Sequence, residues 1–231
     1  MHFSHHPQIW SQHPALAAAA LYTEGIHGQA AFDARIAECE ALASKRLAQA
    51  QEGDWPEVQA WRRAFSRMGL KPTQYRCASE SLLRRLRKEG GLPRLHPLVN
   101  LCNAVSVAHG IPVAVLDLDH VVGSIEVRHA DGDETYVGFS GEVEHPEPGE
   151  VTFADEARQA HARRWTHRQS GLSAVRQETA RVLIVAEAMH EDARTDLQQL
   201  SSLLQEALQA LTGAAPRAAL LSREAPRFDF G

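Results

Sequence analysis

The segment LVNLCNAVSVAHGIPVAVLDLDHVVGSIEVRHADGDETYVGFSGE, Leu98 to Glu142, holds two kinds of pattern joined at Gly110. Before that glycine, Leu98, Cys102 and Val105 recur at steps of three and four, which places them on one face of an α-helix. Pro97 starts that helix, where a missing N–H costs nothing, and Gly110 closes it. After Gly110 the apolar residues are branched and bunched into short runs: Ile111 to Leu116, Ser124 to His129 and Thr135 to Phe139. Gly123 and the Asp131-Gly132-Asp133 turn separate them, as expected of strands joined by tight loops. A helix leading into successive short strands decides the fold class.

Outward from this junction, Glu150 to Phe153 extends the strands past a loop of Pro146, Pro148 and Gly149. Arg164 to Arg168 reads as a further strand, and Arg181 to Val185 as a buried one, because its apolar residues run together. Upstream, Phe32, Ile36, Cys39, Ala43 and Leu47 make one helical stripe. Asp54-Trp-Pro-Glu57 offers an N-cap carboxylate and a first-turn proline for a helix carrying Val58, Trp61, Phe65 and Met68. Ser79 opens another with Leu82, Leu83 and Leu86 inside. Leu16 to Ile26 reads as a first strand. Thr195 and Gln198 suggest a capping box for a closing helix through Leu197, Leu200, Leu204, Ala207 and Leu211. Residues 214–231 have no period and read as an extended or frayed tail. The expected architecture is α+β, one domain over residues 1–231, with helices packed on a mostly antiparallel sheet.

The net charge of −5 excludes a protein that coats nucleic acid through charge alone, though not a local basic face. Only Lys45, Lys71 and Lys88 are lysine, so the positive charge is nearly all arginine, which suits forked contacts with phosphate or carboxylate. Cys39, Cys77 and Cys102 are odd in number and match no metal spacing, so they read as reduced thiols. The run Ala15 to Leu21 lacks the basic flank of a signal peptide, and no window approaches the ~20 apolar residues that span a bilayer. A soluble, cytoplasmic protein without membrane contact is expected.

The ordered set Asn100, Asn103, Gly110, Pro112, Asp117, Asp119, Gly123, Arg128, Asp133, Glu134, Ser140 and Gly141 resembles the core of the B3/B4 editing and tRNA-binding domain of the phenylalanyl-tRNA synthetase beta subunit. Upstream, KPTQYRCASESLLRRL resembles free-standing members through Arg76, Ser79, Glu80 and Arg85. Downstream, Glu150, Asp155, Trp165, Arg168 and Thr179 continue the likeness, which is strongest over residues 61–189. The resemblance implies a trans-acting deacylase that hydrolyses the ester of misacylated tRNA, with the aminoacylated 3′ end of tRNA as partner, no DNA and no cofactor. Two departures stand out. Ala114 occupies the place of a histidine that borders the synthetase pocket, and Glu142 matches the pocket glutamate only with a one-residue gap.

An aminoacyl ester is already activated, so its hydrolysis needs a positioned water, a donor for the oxyanion and help with proton transfer. The expected catalytic groups are Asn103, Asp117 and Ser106. Arg76, Glu80, Arg85, Ser140, Gly141, Glu142, Glu150 and Arg168 are expected to bind substrate. Each has a plain structural alternative: Asn103 capping backbone, Asp117 holding a turn, Glu80 pairing with Arg84, Glu150 pairing with Arg168. Asp117, Asp119 and His120 lack a second cluster at metal-ligand spacing, so no metal is expected. The rival functions are a non-catalytic tRNA-binding module and a pocket for a free amino acid or small metabolite.

Overall fold

The computed structural model describes residues 1–29 and 31–231. The strands are β1 (His2–His5), β2 (Ala17–Glu24), β3 (Val113–Asp117), β4 (Ile125–His129), β5 (Tyr136–Val137), β6 (Val143–Glu144), β7 (Val151–Asp155), β8 (Ala160–Arg163), β9 (Arg168–Gln169), β10 (Arg181–Ala188), β11 (Arg217–Leu221) and β12 (Arg227–Asp229). The helices are α1 (Pro7–Gln12), α2 (Asp33–Leu47), α3 (Pro56–Arg67), α4 (Ala78–Glu89), α5 (Pro97–His109) and α6 (Ala193–Thr212). This is an α+β fold. One sheet has the order β12-β1-β4-β7-β8-β9 and a second β11-β2-β10-β3; pairing is antiparallel except between β1 and β4.

The second sheet is the middle layer, and its two faces explain its sequence. On β10, Val182, Ile184 and Ala186 pack with Leu197, Leu200 and Leu204 of α6 and with Leu101 and Val105 of α5. Leu183 and Val185 point the other way, into a core shared with Phe3, Val127 and Phe153 of the first sheet. A strand buried on both faces has no reason to alternate apolar with polar residues, so RVLIVAEA reads as one apolar run. Opposite it, the alanines of β2 split the same way, Ala18 and Ala20 toward the first sheet, Ala19 with Leu21 toward the helices. A smaller cluster of Trp55, Val58, Leu83, Leu86 and Val107 seats α3 and α4 beside α5.

Several expectations are corrected. The strands after Gly110 do not share one sheet, because β3 crosses to the second sheet while β4 and β7 stay in the first. Residues 164–167 are a turn, with Arg164 and Trp165 in the left-handed region at φ 48° and 61°. The tail is ordered: β11 pairs with β2 and β12 with β1. Trp55, not Asp54, is the N-cap residue of α3, and α6 begins at Ala193, ahead of Thr195. Short edge strands need only main-chain partners, which leave no side-chain period to read.

The stretch before β2 supplies a buried histidine with a measurable consequence. His13 stands edge-on to Trp165, ring centroids 4.8 Å apart, and burial, helped by Arg67, pushes its imidazole down to about 4. Its folded value lies below the unfolded 6.5, so the unfolded chain takes up the proton first as pH falls. Stability is therefore lost between pH 6.5 and about 4, by about 3 kcal/mol for this one group. Thermal unfolding from pH 7 to 4 should show that loss, and His13→Phe should flatten it; an equally steep fall in the variant would assign it elsewhere.

Candidate functional site

The edge of the second sheet, β3, runs beside the β8–β9 edge of the first, and a cavity of about 60 Å3 lies between them. By volume it holds a few waters or an equally small substituent. Val113, Ala114, Leu116, Phe153, Trp165 and Val185 make apolar walls, and His161, Thr166, His167, Arg168, Gln169 and Glu187 bring polar groups to them. Gln169 donates from Nε2 to the Val115 carbonyl at 2.7 Å, which ties the two sheet edges together.

Glu187 is the polar interruption of β10, and its parity turns it toward the first sheet. Its Oε1 accepts from His5 Nε2 at 2.7 Å and from Trp165 Nε1 at 2.9 Å, all three side chains being buried. Its backbone carbonyl takes the Trp61 indole N–H at 3.3 Å. Among the described residues no donor reaches Oε2, so a buried carboxylate lines the cavity with one oxygen uncommitted. Burying such a group is costly unless it is hydrogen-bonded, and the two donors meet that requirement on one side only.

The turn between β8 and β9 carries the remaining chemistry. Two consecutive left-handed residues are strained, and the compensation is Trp165, fully buried, perpendicular to Trp61 at 5.1 Å and donating its backbone N–H to the Val151 carbonyl at 2.7 Å. The turn presents Thr166, whose Oγ1 is buried with no partner among the described residues, and His167. His167 Nδ1 lies 2.8 Å from the Arg76 carbonyl, which can only accept, so Nδ1 carries the proton and Nε2 a free lone pair. Burial, seconded by Arg164 and Arg168, lowers its basicity, so it is neutral at pH 7. His161 differs, being enclosed on both sides: Nδ1 is 2.9 Å from the Ser173 hydroxyl, and Nε2 faces Asp155 at 3.3 Å.

The β5–β6 hairpin flanks this turn. Gly171 passes so close that a Cβ there would stand 2.8 Å from the Gly138 carbonyl oxygen. Ser140 donates to Glu142, Gly141 takes the left-handed turn position at φ 86°, and Arg168 reaches Glu144 at 3.0 Å and Glu142 at 3.5 Å across the Tyr136 ring.

Of the residues expected from sequence, only Arg168 lines the cavity. Ser106 is buried and donates to the Ile111 carbonyl at 2.6 Å, closing α5. Asp117 accepts from the Thr179 hydroxyl at 2.7 Å and the Asp119 N–H at 3.1 Å, which fixes the turn after β3. Asn103 is half-buried on α5 and has no hydrogen bond among the described residues, so its amide is uncommitted, but it does not line the cavity. Glu80 pairs with Arg62 at 2.7 Å and Arg76 at 3.4 Å, not with Arg84, which goes to Glu52. Glu150 grips Arg163, not Arg168, at 2.8 Å, and this pairing outweighs burial in holding its carboxyl below the usual range. Arg85 is exposed and paired with Glu89 at 2.9 Å.

His167, Thr166 and Glu187 were missed, although a carboxylate inside the apolar run of β10 is a legible signal. Among the described residues two clusters have metal-ligand character, each with ligand atoms within 4.8 Å of one another: Glu57 with His190 and Asp196, and Asp131 with Asp133 and Glu134. Both are already engaged in ion pairs or hydrogen bonds. Arg46 lies 2.8 Å from Glu57 and His190 2.7 Å from Asp196, while Arg158 and Arg128 bridge the second group.

The cavity wall at Ala114 is the position where the sequence departs from the synthetase pattern, so the resemblance and the geometry meet there. Among curated relatives, the phenylalanine–tRNA ligase beta subunit of Mycoplasma genitalium is 36% identical over 58 residues, 25% of this chain and 7% of that one. An N-terminal fragment of the phenylalanyl-tRNA synthetase beta-subunit from Pyrococcus horikoshii aligns with 94% of this chain and 49% of its own length, at 9% identity and a TM-score of 0.48. The chain thus spans less than half the length of the relatives it matches. The family described as B3/4 domain matches residues 60–208, well over half of the chain. This chain belongs to the B3/4 domain family.

Proposed function

We propose that the protein is a trans-acting, cytoplasmic deacylase that hydrolyses the ester of misacylated tRNA in the cavity between its two sheets. The observation that carries this reading is one small apolar cavity holding both a half-engaged carboxylate, Glu187, and a neutral histidine with a free Nε2, His167. An aminoacyl ester differs from other esters by its α-ammonium, which a buried carboxylate recognises. The relatives are subunits of an enzyme named for tRNA, which favours aminoacyl-tRNA over other amino esters.

In this mechanism Glu187 Oε2 takes the α-ammonium and the apolar walls take the start of the side chain. His167 Nε2 accepts a proton from water as the water oxygen adds to the acyl carbonyl. Thr166 Oγ1 donates to the oxyanion that forms. The carbon–oxygen bond to the ribose then breaks, and the ribose oxygen leaves with the proton held by His167.

A panel of aminoacyl-tRNAs incubated with catalytic amounts of the pure protein tests the reading. Release of amino acid over many turnovers from at least one of them is expected. Binding without release from every member would make the chain a tRNA-binding module, a reading that Ala114 in place of the pocket histidine favours.

A further inference from the structure

We infer that the outer groove of α3, lined by Gln59, Arg62, Arg63, Ser66, Arg67 and Pro72, is the surface that carries the phosphate backbone of the tRNA. The inference rests on the proposed function only for the identity of the RNA. Its ground is a census of charge. The arginines of α4 and of the β8–β9 turn are largely neutralised where they stand: Arg84 and Arg87 share Glu52, Arg85 has Glu89, Arg163 has Glu150 and Glu144, and Arg168 has Glu144. A cation already matched by a carboxylate adds little attraction for phosphate.

The groove on α3 is different. Arg63 and Arg67 lie four residues apart, one above the other on the helix surface, both exposed and with no ion pair among the described residues. Lys71, next in the same spacing, is also exposed and unpaired. Beside them Arg62 and Arg76 share the single carboxylate of Glu80, which leaves one positive charge over. No acidic side chain lines the groove, and Gln59 and Ser66 add neutral polar groups. The other cations with no ion pair among the described residues, Lys45, Lys88, Arg176, Arg194, Arg217 and Arg223, come from separate stretches of the chain. His13 sits close enough for Arg67 to depress its protonation, and so adds no charge at neutral pH.

The position fits the chemistry as well as the charge. The inner face of α3 backs the cavity through Trp61, which packs on Trp165, and the outer face is the groove. Arg76 bridges the two, its guanidinium on Glu80 beside Arg62 and its carbonyl on His167 at the cavity rim. A strand whose backbone rests on Arg63 and Arg67 therefore passes Arg76 on its way to the cavity. Guanidinium groups suit this task because they contact phosphate through a planar fork.

The test is binding of uncharged bulk tRNA by the full chain across a salt series, comparing wild type with Arg63→Ala/Arg67→Ala and with Lys45→Ala. Both arginines are exposed, so the variant should keep the wild-type melting temperature. Its affinity should fall at least tenfold, and the dependence of log affinity on log salt should become shallower by roughly two contacts' worth, while Lys45→Ala behaves as wild type. Equal affinity and slope for the double variant, or no tRNA binding by wild type, overturns the inference. Groove-dependent binding without turnover on any aminoacyl-tRNA would leave the surface standing and remove the deacylase reading. Turnover with an unchanged KM in the double variant would do the reverse.

Discussion

Glu187→Ala is expected to destabilise the protein by about 3–5 kcal/mol, the range for removing one partner of a buried, charged hydrogen-bond cluster. The substitution strips the acceptor from two buried donors, His5 Nε2 and Trp165 Nε1, and leaves both without their protein partner. It also enlarges a cavity whose walls are already in place. Glu187→Gln keeps one carbonyl acceptor and nearly the same volume, so it should cost about 1–2 kcal/mol, nearer to a single weakened hydrogen bond. Urea unfolding of the three proteins decides the matter. If Glu187→Ala unfolds at the wild-type midpoint, the His5–Glu187–Trp165 cluster does not hold the cavity floor, and the role given to Glu187 loses its structural support.

The helices were legible because each buries one face. Leu98, Cys102 and Val105 of α5, and Val58, Trp61 and Phe65 of α3, repeat at the helical period because only that stripe meets the core. The sheets were legible in part. β10 could be found because burial on both faces leaves an apolar run, but β1, β9, β11 and β12 are two to five residues long and lie at or near sheet edges. Their place is fixed by main-chain hydrogen bonds to partners far away in sequence, which no local pattern records.

The site was harder still, since its walls come from β3, β8, β10 and the turn before β9, brought together only by the crossover of β3 into the second sheet. Short polar residues misled for a physical reason. Ser106 and Asp117 stand at a helix end and a strand end, where hydroxyls and carboxylates bond to nearby backbone and so mark fold as readily as function. His167 was hidden in RRWTHR, which reads as a strand until the left-handed conformations of Arg164 and Trp165 turn it into a loop.

His167→Ala is expected to lower the deacylation rate by about a hundredfold or more, the usual scale for losing a positioned general base. The ring is half-buried at the cavity rim, so its loss should leave folding nearly intact and tRNA affinity close to wild type, because phosphate contacts supply most of the affinity. The pH profile separates chemistry from positioning. Burial lowers the His167 basicity below its ordinary 6.5, and only the neutral ring can accept the proton. The wild-type rate should therefore be level near neutrality and fall as pH drops below 6.5 through the folded value, a limb absent from the variant's residual activity. Asn103→Ala is the comparison: its amide lies outside the cavity, so the folded variant should keep the wild-type pH limb. A folded His167→Ala protein with the wild-type rate and an unaltered acid limb would show that another group accepts the proton. The loss of that limb in His167→Ala, with its retention in Asn103→Ala, would place the base on the strained turn.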